Sequence, residues 1–242
     1  MYNFRTDLAL ERRDLYNKAN NVEKDVDGIE TEEEQIDDKI KISRVKVTNQ
    51  NGEEAIGKPQ GNYITIDFKS LKIANDDEIQ KASEVVTKEL RALLEKHVST
   101  QDSILVVGLG NIYVTPDALG PKVINEIDIT RHLLEYTREI SAVSPGVLGT
   151  TGIETLEILK GIVDNIKPKL VIVIDALASR SIERISSSIQ LADTGIVPGA
   201  GVGNARKELT QNTLGIPVIA MGIPTVVEAA TIAADSLTLL IQ

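Results

Sequence analysis

The sequence predicts an α/β fold, with a mostly parallel sheet sandwiched between helices and a small N-terminal β-containing appendage. Three continuous apolar runs indicate the sheet: residues 104–110 (ILVVGLG), 170–175 (LVIVID) and 216–222 (IPVIAMG). Strands of a parallel sheet are buried on both faces, so they lack the alternation of half-exposed strands. Amphipathic segments lie between these runs, as the crossover connections of such a sheet require.

The N-terminal segment, residues 8–80, is predicted to hold an acidic loop and a β-hairpin. Residues 23–39 (EKDVDGIETEEEQIDDK) contain few apolar side chains, which is typical of a solvated loop. Residues 40–47 and 62–68 alternate apolar and polar side chains on either side of Asn51-Gly52, a pair common in tight turns. We therefore expect a hairpin or a pair of edge strands at the periphery.

Residues 81–242 are predicted to form the α/β catalytic core, and the whole chain one domain. Apolar side chains at helical spacing predict a helix over residues 81–98, with His97 in a structural role near its carboxyl end. A second helix precedes LVIVID and ends at Lys167-Pro168. A third is expected to begin after Pro224, following the last apolar run.

Composition excludes several classes of function. The formal charge is −10 and no basic patch is evident, which argues against direct binding of nucleic acid. The chain has no cysteine and only two histidines, His97 and His132, so thiolate, HExxH and three-histidine metal sites cannot be built. No apolar run predicts a membrane span or a secretory signal, so we expect a cytoplasmic protein that does not bind membranes.

A glycine-rich turn follows the first apolar run, as in phosphate-binding loops. Gly108-Leu109-Gly110 is only part of the dinucleotide motif, because Tyr113 occupies the position of the third glycine. We therefore expect no cofactor and no resident metal.

By elimination, any hydrolysis depends on carboxylates. Asp117 follows Pro116 in the first turn of a predicted helix, where the helix field favours the ionised form. Asp175 ends LVIVID, at the sheet edge where active sites of open α/β sheets lie. If the two are close, one can activate water while the other protonates a leaving amine. The spacing is equally consistent with a helix start at Asp117 and a cap at Asp175.

Three further segments are candidates for shaping a site. Asp193-Thr194-Gly195 matches the tripeptide of pepsin-like proteases, but those have an all-β fold, so we expect a turn or a site-shaping role. Residues 144–155, which include Gly149 and Thr150, and residues 198–204 are glycine-rich and could line a cleft for a peptide.

Taken together, the motifs closely resemble those of the germination proteases of spore-forming bacteria. The matching stretches, in chain order, are RTDLALE, VGLGN, VTPDALGP, TRHL, SPGVLGTTGIET, IDALASRSIER, IQLADTGIVPGAGVGNARKEL and TLGIPVIAMGIPTVVEAATIA. They cover most of residues 104–234 and the extreme N-terminus. One difference is Glu228, where the family often has aspartate.

The resemblance implies an endopeptidase of the spore core that begins the degradation of small acid-soluble spore proteins during germination. It implies a core like that of hydrogenase-maturation proteases, a homotetramer, and synthesis as a zymogen. The family is classed as atypical aspartic, and its implicated pair falls on Asp117 and Asp175. Family members continue beyond the position of Gln242, which predicts a truncated or processed chain.

The resemblance also gives a role to RTDLALE, residues 5–11. Family substrates carry Thr-Glu, then Phe or Ile, then Ala-Ser-Glu, and are cut after the first glutamate. The chain matches this pattern of acid, apolar residue, alanine and acid, so we predict autocleavage between Asp7 and Leu8, with residues 1–7 as propeptide. Composition alone favours a disordered terminus instead.

Two other functions remain open at this stage. One is a metal-binding maturation-type peptidase on the same fold, in which the carboxylates are metal ligands. The other is a non-catalytic scaffold that binds peptides in the cleft.

Overall fold

The computed structural model describes residues 5–22, 26–69, 74–133 and 138–241. These ranges contain eight strands and eight α-helices. The strands are β1 (Ile29–Gln35), β2 (Ile40–Val47), β3 (Gly61–Phe68), β4 (Ile104–Gly108), β5 (Ile140–Val143), β6 (Leu170–Ser179), β7 (Ser188–Ala192) and β8 (Val218–Val227). The helices are α1 (Ala9–Asn20), α2 (Gln50–Ile56), α3 (Asp76–Leu94), α4 (Leu119–Glu126), α5 (Leu148–Thr151), α6 (Thr155–Ile166), α7 (Gln211–Leu214) and α8 (Ala229–Ile241).

All of these strands belong to one mixed sheet, in the order β1-β2-β3-β7-β8-β6-β4-β5. The pairs β8-β6, β6-β4 and β4-β5 are parallel, and they contain the three apolar runs. The pairs from β1 through β7 to β8 are antiparallel. The α/β prediction is confirmed, but the description of the sheet as mostly parallel was wrong, because its N-terminal half is antiparallel.

The N-terminal strands extend the same sheet as the core, since β3 pairs with β7 from Tyr63 opposite Ala192 onwards. β2 and β3 are antiparallel neighbours, but Asn51-Gly52 lies in α2 and does not form a tight turn between them. The sheet thus contains strands from both sides of residue 80.

The acidic run contains a strand, so the prediction of a loop over residues 23–39 was wrong for β1. Glutamates of β1 pair with cations of β2: Glu30 with Lys46 at 3.3 Å, and Glu32 with Arg44 at 3.4 Å. These residues also face each other directly in the strand register. Opposite charges across a strand pair stabilise a strand that few apolar contacts support. Residues 23–25 lie outside the described part of the chain.

Helices cover both faces of the sheet. One core cluster contains Val106 and Ile172 with residues of α3, and the other contains Val107 and Val171 with residues of α6. Consecutive strand residues point to opposite faces, so the two clusters lie on opposite sides. α3 begins earlier than predicted, at a capping box between Asn75 and Glu78, and His97 lies in the turn after it.

β6 and β8 are longer than predicted, and their additional residues lie beside the site. They remain paired as far as Ser179 and Val227, so α8 begins at Ala229 and not directly after Pro224. β4 stops at Gly108, opposite Ile174. Asp175 is therefore inside β6 and does not end it, but it comes directly after the point where β4 leaves the sheet. A crevice opens there, as at other carboxyl edges of parallel strands.

None of the helices in the described part of the chain has the length and apolar character needed to cross a lipid bilayer.

Candidate active site

A cleft of about 490 Å³ opens at the carboxyl end of β4, and three aspartates line it: Asp7, Asp117 and Asp175. Both predicted glycine-rich segments contribute to its walls, including Gly149 and the stretch around Gly199. The structure thus brings the two aspartates predicted from the sequence into one cleft, together with the residue before the predicted cleavage site.

Asp175 is a buried carboxyl at the floor of the cleft, with 6% of its surface exposed. Its Oδ1 accepts a hydrogen bond of 2.9 Å from the backbone N–H of Ala176. Burial, with a smaller contribution from the negative charges of Asp7 and Asp117, raises the pKa of Asp175 to about 8, against the effect of that hydrogen bond. A pKa in this range favours the protonated carboxyl at neutral pH.

Asp117 lies in a single 3-10 turn, Thr115–Asp117, which precedes α4. The N–H of Asn111 donates to its Oδ2 at 2.7 Å. Burial raises the pKa of Asp117 above its ordinary value, although the Asn111 hydrogen bond opposes this effect. Asp117 is more exposed than Asp175, so it is the better candidate for the ionised partner.

The glycine-rich turn after β4 packs closely against the turn that carries Asp117. Gly110 has a φ of +113°, and a Cβ built on it would lie 1.9 Å from the backbone oxygen of Asp117. A side chain at this position would displace the turn that carries Asp117. The motif that suggests phosphate binding in the sequence thus holds the aspartate turn against the end of the sheet.

Thr6 and Asp7 dock against β6, and residues 6–11 are buried or half-buried, whereas Arg5 is exposed. The N–H of Asp7 donates to the oxygen of Ala178, and the N–H of Ala178 donates to Oδ2 of Asp7, both at 2.8 Å. Leu8 on the other side of the predicted cleavage site is fully buried. A Cβ on Gly201 would lie 2.1 Å from Oδ2 of Asp7, so the second glycine-rich loop closes tightly over this side chain.

Glu11 anchors the same segment from the far side. Its buried carboxylate accepts hydrogen bonds from the backbone N–H groups of Arg180 and Ser181, and it pairs with Arg184 at 3.0 Å. It also accepts from the hydroxyl of Thr6. The acid at the end of RTDLALE is thus fixed by groups that follow β6.

Two residues beside Asp7, Gln190 and Lys58, are not predicted from the sequence. Gln190 of β7 hydrogen-bonds the backbone on both sides of the Asp7-Leu8 bond. Lys58 lines a second cavity of about 110 Å³ that Asp7 also lines. Burial lowers the pKa of Lys58 to about 8, although the charge of Asp7 opposes this effect. The only local signal for Gln190 is a polar side chain between apolar neighbours in a short strand.

The other residues predicted to shape the site, Asp193, Thr194, Gly195 and Thr150, do not lie together in the structure. Asp193 accepts hydrogen bonds from the backbone and side chain of Asn62, so it ties β3 to the end of β7. Thr194 and Gly195 line the second cavity, beside Asp7. The Thr150 hydroxyl donates to the oxygen of Val147, within the turn that leads into α5.

His132 is exposed, in the turn after Thr130. Within the described ranges, no group of three or more His, Cys, Asp or Glu side chains is arranged to hold a metal ion.

Comparison with known proteins places the chain among peptidases. A family model described as germination protease matches residues 7–242. A germination protease of Caldanaerobacter subterraneus subsp. tengcongensis is 50% identical over 246 residues, which cover 98% of this chain and 74% of that protein. Those of Clostridium perfringens and of Geobacillus sp. are 47% identical, over 76% and 68% of their lengths and all of this chain. The chain belongs to the germination protease family.

Proposed function

We propose that this chain is the zymogen of an atypical aspartic endopeptidase that activates by cutting its own Asp7-Leu8 bond. Its further substrates are the small acid-soluble spore proteins, whose degradation it begins during germination in the spore core. The observation that supports this proposal best is the position of Asp7, which lines the same cleft as Asp117 and Asp175.

In this mechanism Asp117 accepts a proton and Asp175 donates one. Asp117, ionised, takes a proton from a water molecule while the water oxygen bonds to the carbonyl carbon of Asp7. The carbonyl electron pair moves onto its oxygen. When this electron pair forms the C=O double bond again, the C–N bond between Asp7 and Leu8 breaks, and Asp175 gives its proton to the nitrogen of Leu8. The products are a carboxylic acid at Asp7 and an amine at Leu8. Asp117 then releases its proton to solvent and Asp175 takes one up, so both carboxyls return to their starting states.

The docked segment supports a cleavage in cis. Asp7 is held to β6 by two hydrogen bonds, and Glu11 by Arg184 and backbone amides, so the bond between them is presented in one orientation. Holding a reacting bond in place in this way supplies a large part of the rate enhancement in enzymes.

Cleavage of a purified small acid-soluble spore protein tests the proposal in trans. The parent chain is expected to cut it after an acidic residue, whereas Asp117→Asn and Asp175→Asn should leave it intact. Asp164→Asn, an exposed aspartate on α6, is the matched control and should cut at the parent rate. Full activity of either site variant would contradict the paired-carboxylate mechanism.

The same preparation tests the remaining parts of the proposal. Activity that survives a chelator agrees with proton transfer by carboxylates, and activity lost on chelation and restored by a metal supports the maturation-type alternative. Sedimentation velocity should give a particle of four copies, and a monomer would contradict the homotetramer.

A further inference from the structure

We infer that Gln190 is a catalytic residue of the self-cleavage: its side-chain amide N–H binds the carbonyl oxygen of Asp7 and stabilises the negative charge that forms there. This inference rests on the proposed cleavage of the Asp7-Leu8 bond. It adds an electrophilic group to a mechanism that otherwise contains only the acid and the base.

Gln190 contacts the backbone on both sides of the bond. Its Nε2 donates to the oxygen of Asp7 at 3.2 Å, and its Oε1 accepts from the N–H of Ala9 at 2.8 Å. The side chain is almost wholly buried, with 7% of the residue exposed. One amide thus holds the carbonyl that is attacked and the first peptide N–H beyond the leaving nitrogen.

The orientation of this amide follows from its partners. The N–H of Ala9 can only donate, so it requires the oxygen of the Gln190 amide. The opposite end of the amide, which faces the oxygen of Asp7, is then the nitrogen. A donor therefore points at the one atom of the peptide bond that gains charge when water adds.

The sheet places Gln190 and the buried acid on either side of one glycine. Gln190 is paired with Gly222 of β8, and Gly222 is paired with Asp175 of β6. At about 4.8 Å per strand, the two Cα atoms are roughly 10 Å apart. Side chains in such a row lie on the same face of the sheet, so Gln190 and Asp175 both point to the side where Asp7 docks.

A donor in this position acts mainly in the transition state. A neutral carbonyl gains little from one buried amide N–H, whereas a negatively charged oxygen gains much more, because charge-assisted hydrogen bonds are stronger. Loss of one such donor in other hydrolases slows turnover by about 10² to 10³. We expect a decrease of that size in the rate of self-cleavage.

The experiment compares single-turnover self-cleavage, followed by intact mass, in the full-length parent and in Gln190→Met, Gln190→Glu and Gln101→Met. Gln190→Met has a similar shape but no donor, and Gln190→Glu keeps the acceptor for Ala9 and loses the donor. Both should cleave about 10² to 10³ times more slowly than the parent. Gln101→Met changes an exposed glutamine and should cleave at the parent rate.

Hydrogen exchange separates this catalytic role from a purely structural one. In the uncut background of Asp175→Asn, adding Gln190→Met should leave the amide of Ala178, which donates to Asp7, as protected as before. Loss of that protection would mean that Gln190 only holds the segment in place, and would overturn the inference. A fast Gln190→Glu protein would overturn it too, because an acceptor alone would then suffice.

The outcomes also distinguish this inference from the function on which it rests. A parent that cleaves the bond, together with a Gln190→Met variant that cleaves within threefold of it, overturns the role of Gln190 alone. A parent that never cuts the Asp7-Leu8 bond overturns the proposed function, and the role of Gln190 with it.

Discussion

Replacement of Asp175 by asparagine tests whether this buried carboxyl holds a proton in the folded protein. Asparagine keeps an oxygen for the N–H of Ala176 but cannot ionise. A carboxyl whose pKa is higher in the folded than in the unfolded chain favours folding at low pH, and this contribution is lost as the pH rises towards the folded pKa. For Asp175 the window runs from the ordinary value of 3.8 to about 8.

The size of the effect follows from the same two values. Each pKa unit corresponds to about 1.4 kcal/mol, so Asp175→Asn should gain about 1.4 kcal/mol in unfolding free energy, relative to the parent, for each pH unit between 5 and 7. The gain should level off above pH 8, at about 6 kcal/mol over the whole window.

Urea unfolding at pH 5, 6, 7 and 8 measures this difference, with intact mass checked before each titration so that uncut chains are compared. Asp164→Asn, on the surface, serves as the control, and its unfolding free energy should run parallel to that of the parent. A difference between Asp175→Asn and the parent that stays constant from pH 5 to 7 would show that Asp175 is already ionised, and would refute its assignment as the acid.

Two further substitutions test the docking of the N-terminal segment. Gly201→Ala would bring a Cβ within 2.1 Å of Oδ2 of Asp7, so self-cleavage measured by intact mass should slow by about 10²-fold. Gly161→Ala, on the exposed side of α6, places a Cβ that meets nothing within 4 Å and should cleave at the parent rate. Glu11→Gln removes the charge that pairs with Arg184, which also contacts Asp67, and should lower the urea unfolding free energy by about 1 to 3 kcal/mol; an unchanged midpoint would contradict this role.

The parts of the fold that the sequence predicts well are those determined by burial alone. The apolar runs at β4, β6 and β8 are continuous because both faces of the sheet are covered, and this pattern is visible without any knowledge of the neighbours. The ends of β6 and β8 could not be predicted in this way. They continue through Ser179 and Val227 because they pair with each other beyond the end of β4.

The antiparallel half of the sheet depends on partners that are distant in the sequence. Glu30 and Glu32 read as part of a solvated loop, because a single segment does not show the cations that lie opposite them. β2 supplies these cations in register, as Lys46 and Arg44. Once the two strands are paired, the same charges that suggest a loop stabilise an edge strand.

Some residues of the site can be predicted from the sequence, and others depend on partners that are distant in the chain. Asp117 and Asp175 could be proposed from the sequence, since few other residues remain for acid–base chemistry and both follow buried strand residues. Gln190 could not, because its role requires the N-terminal segment to lie across β7. The Asp7 carbonyl that it contacts is 183 positions away in the chain. Only the folded structure shows that contact.

Mass spectrometry of the N-terminus shows whether Asp117 and Asp175 cut the bond between Asp7 and Leu8. After incubation of each purified protein, the parent should lose residues 1–7 and yield a chain that begins at Leu8. Asp117→Asn and Asp175→Asn should keep this bond intact over the same period. A chain beginning at Leu8 in either variant, formed at the parent rate, would show that the replaced carboxyl is not needed for the cut.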